Sequence, residues 1–509
     1  MSQKYTLIDD YHWLMLRTTR GTLERLGIAC VMVVAAVTRL WNLGYPSKLV
    51  FDETYYVKDA LTLSHEGHEK SWPEGADLAF QSGDSFGYLS EPAFVVHPPF
   101  GKWLISSGMW LLGPESTIGW RLSTALLGIA TVALLMLVAY KLFKSTTMAI
   151  AAGLLLAIDG LAITLSRTAL LDASLTFFLL LGFWFFLVDQ ERSRVRIVNA
   201  INQSSNSLLW FRPWLMLAGV TLGAASSIKW SGLYLLAGIG IYVVVSETIL
   251  RRNVDEKNWF ATGVLVQGVL SFVSLVPLAI ATYLLTWLGW ILGSGGYSRN
   301  WADDNSLPGA FGWLPDWMQS LWSYHELIYR FHVGLTTEHS YQAHPLGWLI
   351  GLRPTAFFYE SYAAGENGCD ISGGCSSAIT ALGNPLIWIG STAALIYLAF
   401  RYFKHQERTL GLVLLGVSSL YLPWLIFAGR TVFQFYVVSF QPWLILGLVF
   451  ALQQLRRHLH TRSPRVANAF VVGFFTVAIA LSVFFLPVNT GIFIAFEQWQ
   501  LRMWIPSWV

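Results

Sequence analysis

Long apolar runs separated by short charged stretches dominate the chain. The first begins after Arg25 and ends near Trp41. Others cover about 119–140, 147–166, 168–188, 213–229, 231–246, 259–292, 384–400, 409–428, 431–452 and 466–487. A membrane-spanning helix needs roughly 20 predominantly apolar residues, and these runs lie at or near that length. The pattern predicts about eleven transmembrane helices. In that count 259–292 is one long or bent helix containing Pro277, or a span followed by an interfacial segment. Two long stretches, 45–118 and 293–383, contain no such run and are rich in Trp, Tyr, Gly and Pro. That composition predicts interfacial helices and turns at headgroup depth. No repeat or low-complexity tract interrupts the pattern, and 197–209 reads as a polar linker.

Composition supports this reading. Of 509 residues 54% are hydrophobic and 12% charged, against about 25% charged in soluble domains. The expected fold class is an all-α polytopic membrane protein, one transmembrane domain with no separate soluble domain. A net charge of +3 gives no reason to expect nucleic acid as a partner. Lys4, Asp9, Asp10, Arg17, Arg20, Glu24 and Arg25 precede the first run, which leads into Arg39 without a small-residue cleavage pattern. This predicts a cytoplasmic tail and a first anchor rather than a cleaved signal. With that end inside, the inner segments are 1–25, 141–145, 189–212, 251–257, 401–408 and 456–465, and they hold 20 of the 33 Lys and Arg residues. The other side holds 13 basic and 20 acidic residues. The positive-inside bias therefore places both long loops and the C-terminus outside.

Candidate chemistry collects on that outer side. Phe51-Asp52-Glu53-Thr54-Tyr55-Tyr56 sets two carboxylates among aromatics. Neighbouring residues point in different directions, so the pair does not read as a shared-proton dyad. Either one accepts a proton while the other holds a neighbour in place, or the stretch is a solvated loop start. Ionisable groups at span ends are functional candidates by default. Arg121 opens the second span, Arg167 and Asp172 bracket the next outer turn, and Lys229 ends the fifth span. Arg353 lies in the second long loop, Arg430 precedes the tenth span, and His97 lies in His97-Pro98-Pro99-Phe100-Gly101-Lys102. No comparable set lines the inner face, which predicts an outer polar cavity rather than a through-going path. Cations there can hold a phosphate, and aromatics can stack on a sugar. Simpler roles compete: Lys229 and Arg430 snorkelling to headgroups, and Asp172 pairing with Arg167 to tie a turn. His65 and His68 have metal-like spacing without the helix context of a zinc site, so a hydrated acidic loop is expected and no metal. Cys369 and Cys375, on the oxidising side, are expected to form a structural disulfide. Cys30 is expected to be buried and inert.

The stretches Phe51-Asp52-Glu53 and His97-Pro98-Pro99-Phe100-Gly101-Lys102 are followed by Gly119-Trp120-Arg121-Leu122, Ser166-Arg167 with Leu171-Asp172, and Ser227-Ile228-Lys229-Trp230. Leu352-Arg353-Pro354 and Leu422-Pro423-Trp424 with Arg430 and Tyr436 complete the series. In this order they resemble the protein O-mannosyltransferases, multi-span glycosyltransferases of the GT-C type. Bacterial members of that family use polyprenyl-phosphate mannose. Eukaryotic members carry a soluble insert for which 293–383 is too short. The resemblance implies an inverting transfer of mannose from a polyprenyl monophosphate to Ser or Thr hydroxyls. It makes Asp52 the base and gives Glu53 the task of orienting the acceptor or the loop. The donor is expected against Arg121, Lys229, Arg353 and Arg430, with His97, Asp172, Arg167 and Tyr436 in the same site. No cofactor is implied. The expected partners are the lipid-linked donor, Ser/Thr-containing polypeptides as they leave a translocon, and membrane lipids. The expected location is the plasma membrane. Two rivals remain open: an aminoarabinose or arabinose transferase of similar architecture, and a lipid or sugar transporter. A transporter would need paired broken helices and charges running from face to face.

Overall fold

The structure, a computed structural model, describes residues 21–509. The expected cytoplasmic tail with Lys4, Asp9, Asp10, Arg17 and Arg20 lies outside the described residues. Every predicted apolar run forms helix, but fewer are long and apolar enough to span a membrane than expected. Among the described residues seven qualify: Thr117–Phe143, Leu171–Asn202, Gly232–Asn253, Ala261–Thr286, Pro385–His405, Arg408–Ile426 and Pro464–Thr490. Pro213–Ser226 has 14 residues and is short of a span. The run 431–452 starts as a 3-10 turn, Gln434–Ser439, and continues as the helix Gln441–Arg462. The run 259–292 resolves into a span that opens with a π-helical turn and a separate short helix, Leu288–Leu292.

An eighth apolar stretch is a bent pair of helices, long enough together to span. Thr146–Ile158 and Gly160–Ser166 meet at a 64° bend, and the cause is Asp159. Its Oδ1 accepts from the Leu161 and Ala162 amides and so caps the second piece. Gln441 Nε2, Trp388 Nε1 and the Asn384 amide also donate to this carboxylate. A buried carboxylate is tolerated only when hydrogen-bonded, and the chain bends to provide the donors.

Leu171–Asn202 is the most enclosed span and packs against Thr117–Phe143, Pro213–Ser226 and Gly232–Asn253. Pro213–Ser226 also packs closely on Ala261–Thr286. A Cβ on Gly219 or Gly223 would come within 2.3 Å or 2.5 Å of the Leu275 or Ala279 carbonyl oxygen. This four-residue repeat of small side chains lets two helix backbones approach without lipid between them.

The fold is mostly helical as expected, and the loops add one small sheet. The first, 45–118, is helical as expected, with Glu53–Glu66 and Phe100–Leu112 as its main elements. The second holds the helix Asp316–Gly334 and also a β-hairpin. There β1 (Ala356–Tyr362) pairs antiparallel with β2 (Cys375–Thr380), and β2 pairs with β3 (Ile494–Ala495) near the C-terminus. The Cys369–Cys375 disulfide closes the turn that leads into β2. Cys30 is exposed on its helix, not buried, since that helix turns the face bearing it outward.

A second correction concerns the far end of the bundle. Arg212 is buried with Glu247, 2.6 Å away, and with Asp189. Asp189 lies about 25 Å beyond Asp172 on the same helix, at 1.5 Å per residue. Loop-like flanks in the sequence hide this cluster. Its charges are mutually satisfied and tie four helices together rather than line a path.

Candidate active site

The site is built outward from Glu53, the first residue of its helix and fully buried. Its carboxylate accepts four hydrogen bonds. Arg121 Nε and Nη2 each donate at 2.8 Å, the Val50 amide at 3.0 Å and the Ala169 amide at 2.7 Å. The remaining Arg121 donors bond the Leu43, Pro46 and Lys48 carbonyls. Glu53 and Arg121 thus lock the loop before Asp52 to the second predicted span and to the turn at Ala169. Glu53 orients the loop, one of the two roles expected of it. Arg121 is correspondingly withdrawn from the donor-binding set, because every nitrogen is committed to protein oxygen.

Phe51 enters this turn at φ 49°, a left-handed conformation that a bulky residue adopts only when its surroundings enforce it. Phe357 stacks on its ring at 4.9 Å, and Phe433 and Phe435 pack edge-on. The result presents Asp52 to a cavity of about 940 Å³. Asp172, Lys229, His97, Arg430 and Tyr436 share that cavity. Lys229 Nζ donates to Asp172 Oδ2 at 2.7 Å and lies 5.1 Å from the Tyr436 ring centre. Asp172 therefore pairs with Lys229, not with Arg167. The Phe100 amide donates to the Ser227 carbonyl, which joins the His97 stretch to the Lys229 turn. Gly101 permits this, since a Cβ there would lie 2.7 Å from Leu171 Cδ2.

Arg167 donates to the carbonyls of Thr38, Arg39, Trp41 and Asn42 and so caps the end of the first helix, Thr22–Leu40. Arg353 bonds the Ser340 and Ser507 carbonyls and does not line the cavity. Both leave the donor-binding set because, as for Arg121, protein oxygen claims their nitrogens, here backbone carbonyls alone. Arg430 differs. Among the described residues no carboxylate pairs with it. Its Nη2 donates to His332 Nδ1 at 3.4 Å, and its Nε is buried without a partner. His332 Nε2 donates in turn to the Val96 carbonyl at 2.9 Å, which fixes the tautomer. His332 was not singled out from the sequence, because it arrives on Asp316–Gly334 from a loop without a motif. Tyr56 and Asp59 were also missed, although their spacing from Asp52 matches one face of a helix.

Burial pushes the Asp52 carboxyl up to about 6; the Lys229 charge pulls against this and the Asp172 charge adds to it. Its one side-chain hydrogen bond among the described residues comes from Tyr56 Oη, at 3.5 Å. Burial drives His97 well below its ordinary range and His332 down to about 4, so both are neutral at pH 7. The cavity therefore offers a carboxylate without a cation of its own, beside a paired lysine and an unpaired arginine. His65 packs edge-on against Phe86, His68 bonds the Glu66 carbonyl, and among the described residues no three potential ligands converge on a metal site.

The molecule is a helical membrane bundle with a carboxylate-and-cation cavity under two long loops. A yeast (S. cerevisiae) structure has this fold, the protein O-mannosyltransferase Pmt1–Pmt2 complex bound to the sugar donor. Its TM-score is 0.73 at 16% identity, over 98% of this chain and 94% of that one. Two family models match the chain: dolichyl-phosphate-mannose-protein mannosyltransferase over 85–288, and the C-terminal four-span region of protein O-mannosyltransferase over 317–508. The polyprenol-phosphate-mannose–protein mannosyltransferase of Mycobacterium tuberculosis is 31% identical over 96% of this chain and 93% of its own. The enzyme of that name from Mycolicibacterium smegmatis is 30% identical over 94% and 92%. The chain belongs to the protein O-mannosyltransferase family.

Proposed function

We propose that the protein transfers mannose from a polyprenyl monophosphate to Ser or Thr hydroxyls of polypeptides, with inversion, on the outer face of the plasma membrane. The observation that carries this is Asp52, uncommitted to any cation, sharing one cavity with Lys229 and Arg430. The acceptor hydroxyl gives its proton to Asp52 as its oxygen attacks the anomeric carbon. The bond from that carbon to the phosphate oxygen breaks, and the phosphate leaves on its lipid. A phosphate leaving group needs positive charge rather than a proton. Arg430 and Lys229 supply it, so the step requires neither a second acid nor a metal. Apolar lining from Leu233, Trp424 and Phe427 suits the first units of the polyprenyl chain. The bias of Lys and Arg toward the inner segments favours a cavity that faces outward, where polypeptides would emerge from a translocon. The relatives' names and the cavity's single-ended charge both favour this reading over a transporter.

The test supplies purified protein with labelled polyprenyl-phosphate mannose and a Ser/Thr-rich peptide. Label in the peptide supports the assignment; none, with lipid movement in liposomes instead, removes it. The same assay carries a pH prediction. Asp52 must be ionised to act, and its carboxyl titrates near 6. The value of kcat/KM should therefore rise tenfold per pH step below about 6 and level off above it. Lys229→Met should move this limb to higher pH, because the lysine charge is what opposes burial. A profile flat down to pH 5 would remove Asp52 as the base.

Arg430→Met should lower kcat/KM by one to two decades, the effect of losing one charge-assisted contact of on the order of 1.5–3 kcal/mol. Arg353→Ala, outside the cavity, should stay within about threefold of the parent enzyme, near the range of an ordinary surface change. Donor-titrated kinetics on both variants check the contrast, and equal losses would contradict it.

A further inference from the structure

The cavity continues past Asp52 along Glu53–Glu66. Asp52, Tyr56 and Asp59 fall on one stripe of that helix and all line the cavity. Seven residues at 1.5 Å each put Asp59 about 10 Å from Asp52 along the axis. There Lys102 Nζ lies 3.8 Å from Asp59 Oδ2 and forms a second ion pair with Glu69. Lys102 is only 1% exposed, yet it lines the cavity with Asp59. Between the two ends stand the Tyr56 ring and His97, with ring centres 6.1 Å apart. The His97 imidazole lines the cavity and makes no side-chain hydrogen bond among the described residues. Neither proton removal nor phosphate departure calls on Asp59, Lys102 or His97.

A sugar hydroxyl both donates and accepts. A carboxylate beside an ammonium offers one acceptor and one donor, and so does a neutral imidazole. A buried ion pair is weak evidence for stability, so this pair, open to the cavity, is better explained by a ligand. We propose that Asp59, Lys102 and His97 form the subsite that reads the hydroxyls of the donor hexose. Asp59 and Lys102 take the 3- and 4-hydroxyls, opposite the anomeric carbon; His97 takes one on the ring edge, and the Tyr56 ring packs alongside. The spacing suits a pyranose whose anomeric carbon lies at Asp52, with a hydrogen bond at either end. The assignment rests on the mannosyl-transfer reading and adds the source of its sugar selectivity.

The test pairs wild-type protein and Asp59→Asn with polyprenyl-phosphate mannose and its 3-deoxy and 4-deoxy analogues. A site built to bond a hydroxyl rejects the analogue that lacks it. Wild-type kcat/KM should fall about ten- to hundredfold on removal of either hydroxyl. Asp59→Asn should show a similar loss on the mannose donor and little further loss on at least one deoxy donor. Inhibition by bare polyprenyl phosphate should not change, because Lys229 and Arg430 hold that group. Full, additive penalties in Asp59→Asn would overturn the subsite. So would a wild-type enzyme indifferent to both deletions, whether or not the variant folds. A wild-type protein that transfers no mannose at all would instead overturn the function on which the subsite rests.

Discussion

Asp52→Asn should lower kcat by about 10²–10⁴-fold, the usual contribution of a positioned general base. The amide keeps the shape of the carboxylate but cannot accept the hydroxyl proton. Donor affinity should survive, because the proposed phosphate ligands, Lys229 and Arg430, line the cavity apart from the turn bearing Asp52. Loss of the negative charge should even raise that affinity slightly. Single-turnover transfer from prebound labelled donor separates the two quantities. Unchanged transfer by the variant would remove the base; loss of donor binding without a change in the chemical step would make Asp52 a binding group. Burial of Asp52 beside Asp172 gives the side chain a strong reason to take up a proton.

Glu53→Gln should destabilise the protein more than any other single change at the site. Arg121 is 1% exposed and would lose its only carboxylate among the described residues. Breaking one partner of a buried ion pair costs about 3–5 kcal/mol. The amide would also face donors at Val50, Ala169 and Arg121 with donors of its own. Thermal unfolding in detergent should show a large fall in Tm, and activity should fall with it as the Asp52 turn loosens. Arg121→Gln should produce a comparable loss. The double variant should be less destabilised than the sum of the two, because the residues share one interaction. Strict additivity would mean that the pair does not hold the loop as described.

The contrast between Asp52 and Glu53 shows how far the sequence could be read. Side-by-side carboxylates that point in different directions predicted two different jobs; in the structure Glu53 is bound to Arg121 while Asp52 faces the cavity. The outer-side charges were legible as a group, and Asp52, His97, Asp172, Lys229 and Arg430 do meet in one cavity. Arg121, Arg167 and Arg353 were indistinguishable from these in sequence, because what withdraws them is oxygen from segments far along the chain: the Glu53 carboxylate and carbonyls for Arg121, carbonyls alone for the other two. Tyr56 and Asp59 were missed, although helical spacing from Asp52 carried the signal that would have found them. His332 carried no such signal, since Asp316–Gly334 reaches the cavity only through the fold of a long loop. Apolar runs located the helices, whereas hydropathy could not show that Asp159 bends one of them. Nor could it reveal the hairpin, whose short strands carry no run of their own.

The most direct measurement is the anomeric configuration of the mannose delivered to the peptide from a β-linked donor, read by NMR of the glycopeptide. One displacement, with Asp52 taking only a proton, predicts α-linked mannose. A β-linked product would mean that the sugar passed through a covalent intermediate on the enzyme, and would contradict the role given to Asp52.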